Sequence, residues 1–329
     1  MTELILVGGQ NSENLKKGEA WGAYKAGIIV RLNIDSGATE VLVEDSSRPD
    51  IIKDIPEIGT VYKAATLVDK LAFVCTTTEL IVYDAQTWKE KQRISSPLFN
   101  DLHHVLPNSN GNYWVANTGL DNVLELDSEA NVLKKYCTCA GEDPKSFDDI
   151  DYRTVVSTKP HVTHPNYVFT LDNELYVTRF KQKDAICLTD TTRKSFQVRA
   201  GNIHDGLASG DLLFFTSTNG WITAFNISSG AIELELDLNS LYKSKEPLGW
   251  CRGIEILENG NLVVGFSRLR PTKFRENVDW VSKGIGFNRK LSPMVTRVAI
   301  INVNKPSVVR EFSVEGVGMN AIFSIHLSA

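Results

Sequence analysis

Short apolar runs recur along the whole chain, each alternating with polar residues and each closed by a Gly, Asn or Asp turn. That is the signature of short antiparallel strands. The pattern is clearest over Leu102–Asp127, LHHVLPNSNGNYWVANTGLDNVLELD. A run from Leu102 turns at Pro107-Asn108-Ser109-Asn110-Gly111, and Tyr113–Asn117 alternates. Gly119-Leu120-Asp121-Asn122 turns again, and Val123–Asp127 alternates once more. Asn131–Tyr136 follows as a fourth, outer strand. Helical periodicity is almost absent elsewhere, so the chain reads as all-β.

The unit repeats. Middle strands align as LILVGG (4–9), LAFVCTT (71–77), NYWVANT (112–118), ELYVTRF (174–180), LLFFTST (212–218) and NLVVGFS (261–267). Third strands follow as IIVRLNIDSG (28–37), LIVYDAQT (80–87), VLELDSE (123–129), AICLTDTT (185–192), WITAFNISSG (221–230) and RVAIINVN (297–304). The first unit lacks an inner strand and the last is followed by a spare one, Ala321–Leu327. The two defects cancel if the last strand completes the first unit. The predicted fold is a six-bladed β-propeller, one domain over residues 1–329, closed by its C-terminal strand so that no sheet edge is left open.

Strand direction alternates within a blade. The connection into an inner strand and the one between middle and third strands therefore share a face. All the long segments fall at those two positions: Gly9–Ala26, Glu44–Thr60, Cys139–Thr163, Asn239–Trp250 and Arg268–Met294. The other face has only tight turns such as SNGN, DNE, SGD and ENGN. The built-up face is the candidate functional face, because binding residues concentrate on loops held by a rigid scaffold.

Composition narrows the classes. With 35 basic and 40 acidic residues, the formal charge of −5 offers neither a nucleic-acid footprint nor a polybasic membrane signal. No apolar run is long enough to span a bilayer, and Met1–Gly9 reads as a strand rather than a leader. The five cysteines, Cys75, Cys137, Cys139, Cys187 and Cys251, are scattered and odd in number, which predicts reduced thiols. A cytoplasmic protein with no nucleic-acid or membrane partner is expected. No P-loop, Gly-x-Ser-x-Gly elbow or dinucleotide fingerprint occurs.

The candidate chemistry is histidine. All six, His103, His104, His161, His164, His204 and His326, fall at or beside inner strands, which line the channel. His104 and His204 each stand ten residues before a middle-strand aromatic, Trp114 and Phe214, which predicts similar heights. Polar side chains filling a wet channel is one reading. A metal centre on His104, His164, His204 and His326 is the other, and imidazole ligands favour a divalent transition metal, Zn, Fe or Cu, over Ca. Asn100, Asp101, Asn166, Asp205, Arg252 and Glu255 enter the same zone. Asp205 can orient a histidine, act as a ligand or serve as base. Arg252 can anchor an anion or pair with Glu255 or Asp205. The segment Arg268–Met294 carries Arg270 and Arg275 among seven cations with three aromatics. It is either a basic flap favouring an acidic ligand or a solvated loop.

At FNDLHHV, HPNYVFTLDNELYV and HDGLASGDLLFFT the chain resembles the gluconolactonase/regucalcin propellers and their NHL-type relatives. The resemblance covers the blade cores across most of the chain. It implies a divalent metal held by a Glu of the first blade, Asn of the third and fourth, and Asp of the fifth. Asn166 and Asp205 match the last two positions, whereas His103 or His104 stands near the third-blade Asn and His326 near the first-blade Glu. These departures from the family pattern shift the implied ion from calcium towards a transition metal. The histidine-rich channel is similar to that of propeller lyases and oxygenases that hold zinc or iron on several histidines.

The expected function is a metalloenzyme acting on a small anionic organic substrate by hydrolysis, elimination or oxidation. Asp205, Arg252 and Glu255 are its candidate catalytic residues, and His103, Asn166, Arg270 and Arg275 its candidate substrate-binding residues. The alternative is a non-catalytic propeller that presents the loop-rich face to a protein partner.

Overall fold

A computed structural model of the chain describes residues 2–12, 24–139, 149–243, 246–269 and 294–328. It has six four-stranded antiparallel sheets arranged as blades in a ring. The first blade has the order Ala321–Leu327, Glu3–Asn11, Tyr24–Asn33, Thr39–Asp45, so the C-terminal strand is its inner strand, as the repeat pattern predicts. Leu4 stands opposite Leu327 and Gly9 opposite Ala321, a ladder along nearly the whole strand. The inner strands of the other five blades are Ala64–Val68, Leu102–Pro107, Pro165–Leu171, Ile203–Ser209 and Trp250–Ile256.

The middle and third strands of the blades are buried on both faces against neighbouring blades, which makes their apolar runs nearly continuous. Outer strands such as Thr39–Asp45 and Val132–Cys137 hold no buried residue. On one strand, Leu4 and Leu6 pack with Val263, Val298 and Ile300 of blade six, while Ile5 and Val7 pack with Ala72, Val74 and Ile81 of blade two. Similar clusters fill the other seams, for example Val105, Val115 and Leu124 with Phe73 and Leu80 between blades two and three. Each fully buried aliphatic side chain stabilises the fold by about 1.5–3 kcal/mol. None of the five cysteines is in a disulfide, and among the described residues no helix is long and apolar enough to cross a membrane.

One irregularity recurs at a single level and builds the site. The inner strands of blades three to six and the closing strand each hold one extra residue relative to their middle strand. It falls between Leu102 and His104, Pro165 and Val168, Ile203 and Gly206, Arg252 and Ile254, and Ile322 and Ser324. Such bulges break alternation and re-aim side chains. Consecutive residues such as His103 and His104 thereby both reach across to other blades. Hydroxyls at the ends of middle strands satisfy the groups the bulges release. Thr178 Oγ1 accepts from Tyr167 N (3.0 Å), Thr216 Oγ1 accepts from Asp205 N (3.3 Å), and Ser267 Oγ accepts from Ile322 N (2.9 Å).

Candidate functional site

The channel residues fall into two tiers, set by their distance along the inner strands from the loop-rich face. The tier at the mouth centres on three imidazoles from consecutive blades. The His103 ring lies 5.1 Å from His164 and 5.8 Å from His204, centroid to centroid. His161 joins at the edge, its Nδ1 2.6 Å from Nδ1 of His164. His164 packs on Phe180 at 5.2 Å and is only partly buried, so the tier is reached from outside.

The tautomers of two of these rings follow from their partners. His103 Nδ1 faces the Asp101 carbonyl at 2.9 Å, which can only accept, so Nδ1 carries the proton and Nε2 the lone pair. His204 Nδ1 faces Asp205 Oδ1 at 3.0 Å and likewise donates. Its Nε2 is buried and has no hydrogen-bond partner among the described residues. Asp205 is held in turn by the Gly253 N–H at 2.7 Å. Gly253 sits at φ +70° in the blade-six bulge, a conformation that favours glycine, and a Cβ there would press on Ile325.

Burial pulls the His103, His164 and His204 pKa values below the usual imidazole range, so all three are neutral near pH 7. Burial opposes ionisation of Asp205, but His204, the Gly253 N–H and the Arg252 charge outweigh it and hold the carboxyl below its ordinary value. Asp101 is held low against burial chiefly by Lys63, whose Nζ lies 3.1 Å away. Two cations lie over one aromatic ring: Lys63 Nζ is 5.4 Å and the Arg252 guanidinium 4.5 Å from the Phe323 centroid. The mouth thus combines neutral imidazoles with two cations backed by a buried aromatic ring.

The inner tier differs. His104 Nδ1 accepts from Val168 N at 3.4 Å, which leaves Nε2–H to donate to Thr66 Oγ1 at 3.3 Å, and the ring lies 4.6 Å from Tyr167. His326 Nε2 contacts Ser324 Oγ at 3.0 Å towards the plain face. Of the four histidines named from sequence as metal ligands, His164 and His204 share the mouth, and His104 and His326 stand deeper. His103, named for substrate, is the ring that meets both mouth histidines. Among the described residues no group of three or more His, Cys, Asp or Glu side chains is arranged to hold a metal ion.

Asn166 is buried, and its Oδ1 has no hydrogen-bond partner among the described residues. Glu255 accepts from Ile256 N (2.9 Å) and Leu327 N (3.2 Å) and lines an open cleft of about 480 Å³ on the plain face. It is not part of the mouth. Asn100 anchors a loop instead, donating to the carbonyls of Tyr152 and Val155. Arg268 at the start of the basic segment pairs with Glu315 at 2.6 Å. Arg270 and Arg275 lie outside the described residues. Sequence reasoning missed Lys63 and Phe323. A lone lysine directly before an inner strand, at the position of Asp101 and His164 in their own blades, was the available signal.

The chain is a six-bladed β-propeller in which the rings of His103, His164 and His204 meet among the inner strands, and several solved structures share its fold. A protein of unknown function from Bacteroides caccae aligns over 100% of this chain and 99% of its own, at 13% identity and a TM-score of 0.62. A chain of a nidogen/laminin complex aligns over 99% and 98%, at 10% identity and 0.58. A streptogramin B lyase aligns over 99% and 95%, at 11% identity and 0.53. At these identities the likeness shows the fold alone. No family model and no curated protein matches the sequence.

Proposed function

We propose that the chain is an enzyme whose site is the loop-rich mouth of the channel and whose substrate is a small organic anion. One observation carries this reading: His204 is held by Asp205 through Nδ1 while its buried Nε2 has no partner among the described residues. An imidazole held in this way is a lone-pair acceptor with its tautomer already set. It takes a proton from a bound water or from a substrate carbon, the step that opens a hydrolysis or an elimination. The Asp205 carboxylate stabilises the imidazolium that forms. Arg252, together with Lys63 that is paired with Asp101, attracts the anionic group, and both cations lie over the buried Phe323 ring.

A divalent transition metal, Zn, Fe or Cu ahead of Ca, is the cofactor proposed for the same imidazoles, and it would supply Lewis acidity. Among the described residues the present arrangement of nitrogens does not form a coordination site. Two measurements test the reading. Calorimetry with citrate and related carboxylates should give binding that is lost when Arg252 and Lys63 are replaced by Met. Elemental analysis of the purified chain should find near-stoichiometric metal if the cofactor proposal holds. A folded chain that takes up neither carboxylates nor metal, and that captures a protein through the loop-rich face, would make it a scaffold instead.

A further inference from the structure

We infer that Asp121 is the positioning residue of the mouth, holding His164 in place from the neighbouring blade. The inference rests on the reading of the mouth as the functional site. Asp121 lies in the turn between the middle and third strands of blade three, fully buried and at φ +52°. Its carboxylate reaches across the blade seam into the loop that leads to blade four. Oδ2 accepts from Val162 N at 2.8 Å, and Oδ1 accepts from Thr163 N and His164 N, each at 2.8 Å, and from Thr163 Oγ1 at 3.0 Å.

Three successive backbone N–H groups aimed at one anion form a nest, and here the anion is a side chain of the protein itself. His164 stands in the left-handed region at φ +57°, which a residue with a Cβ adopts only where its surroundings enforce it. The Asp121 carboxylate enforces it here. The Asp121 carbonyl adds to the clamp by accepting from Thr138 N (3.1 Å) and Thr138 Oγ1 (2.6 Å), and that hydroxyl meets Thr163 Oγ1 at 2.5 Å. Thr118 Oγ1, three residues before Asp121, donates to the carbonyl of Pro165 just past His164.

The backbone of His164 is therefore fixed by blade three, and its ring is placed against His103 of that same blade and against His161. Asp205 takes a single backbone N–H from another blade, that of Gly253, and most other described aspartates that accept from backbone N–H groups do so within their own turn. Asp127, for example, accepts from Glu129 N and Asn131 N at 2.9 Å each, on the plain face. Asp121 instead sets the residue that carries a ring into the mouth.

Imidazole nitrogen signals in long-range proton–nitrogen spectra provide the test, assigned with single His→Gln variants. Asp121→Asn should displace the His164 and His103 signals and leave those of His104 and His326 in place, while Asp127→Asn moves none. If Asp121→Asn does not fold, Thr163→Ala, which removes one donor to the same carboxylate, should displace the same two signals by less. Unmoved His164 and His103 signals in a folded variant, or displacement of all the histidines together, would overturn the assignment. Citrate titrated into the unaltered chain tests the reading beneath it. Failure of citrate to bind sinks that reading and leaves the imidazole result to decide Asp121.

Discussion

The two tiers of the channel hold the same residue type at similar burial, yet the ring nitrogens of His104 and His204 are partnered differently. In the inner tier both nitrogens of His104 are occupied, by Val168 N–H and the Thr66 hydroxyl, and its ring rests on Tyr167. In the mouth tier His103 and His204 each commit Nδ1 to an acceptor and keep Nε2 as a lone pair, beside two cations. Burial alone does not distinguish a structural histidine from a reactive one. The distinguishing feature is whether the partners leave a nitrogen unclaimed. A satisfied network rigidifies the fold, whereas an unclaimed buried atom costs stability and is retained where something binds to it.

The largest effect should come from removing the element common to both tiers. The closing strand carries Phe323 to the mouth and His326 towards the plain face, and it pairs with residues Leu4 to Gly9 of the first strand. Deleting residues 321–329 exposes two sheet edges and abolishes the cooperative melt, with aggregation seen by light scattering. A soluble truncated chain with an unchanged melt would break the ring closure.

Substitutions in the two tiers should then separate stability from function. His104→Ala removes two hydrogen bonds and a packed ring, and lowers unfolding stability by about 2–4 kcal/mol in denaturant titrations. His204→Gln removes the lone pair at the mouth. It should change stability by less than about 1 kcal/mol and abolish turnover of any carboxylate substrate identified. The reverse outcome, an unstable His204 variant and an inert His104 variant, would exchange the roles of the tiers.

Acid acts on both tiers, since burial lowers the pKa values of the mouth imidazoles as well. Burial pushes the His104 pKa down to about 3 and that of His326 down to about 4, from an ordinary 6.5. Between these values and 6.5 the unfolded chain takes up protons that the folded chain refuses. Stability is therefore complete above pH 6.5 and falls as the pH drops towards the folded pKa values. At pH 5 the loss from His104 is about 2 kcal/mol; the partly exposed His326 adds less. His104→Gln should flatten that part of the pH–stability curve, and an unchanged slope would contradict a neutral buried His104.

The smallest effect belongs to the plain face. Glu255→Gln keeps an acceptor for the Leu327 N–H, so it should shift stability by less than about 1 kcal/mol. It should leave carboxylate binding at the mouth intact. A large loss of binding would return Glu255 to the catalytic set.

Much of this architecture was legible along the chain. The apolar runs, their turns and the spare strand Ala321–Leu327 define six blades and their closure, because strand alternation and turn chemistry are local and each blade repeats them. The loop-rich face followed from strand direction alone. The concentration of histidines at inner strands was equally plain, since an inner strand is recognised by its place in the repeat. Depth and pairing within the channel were decided only by the tertiary structure. The one-residue bulges displace side chains without leaving a mark in the hydrophobic pattern, so His103 meets His164 and His204 while its neighbour His104 meets Thr66 and Tyr167. Lys63, Phe323 and Asp121 reach the mouth from distant parts of the chain. Their roles depend on what lies opposite them once the ring has closed, and no stretch of sequence contains both sides of that contact.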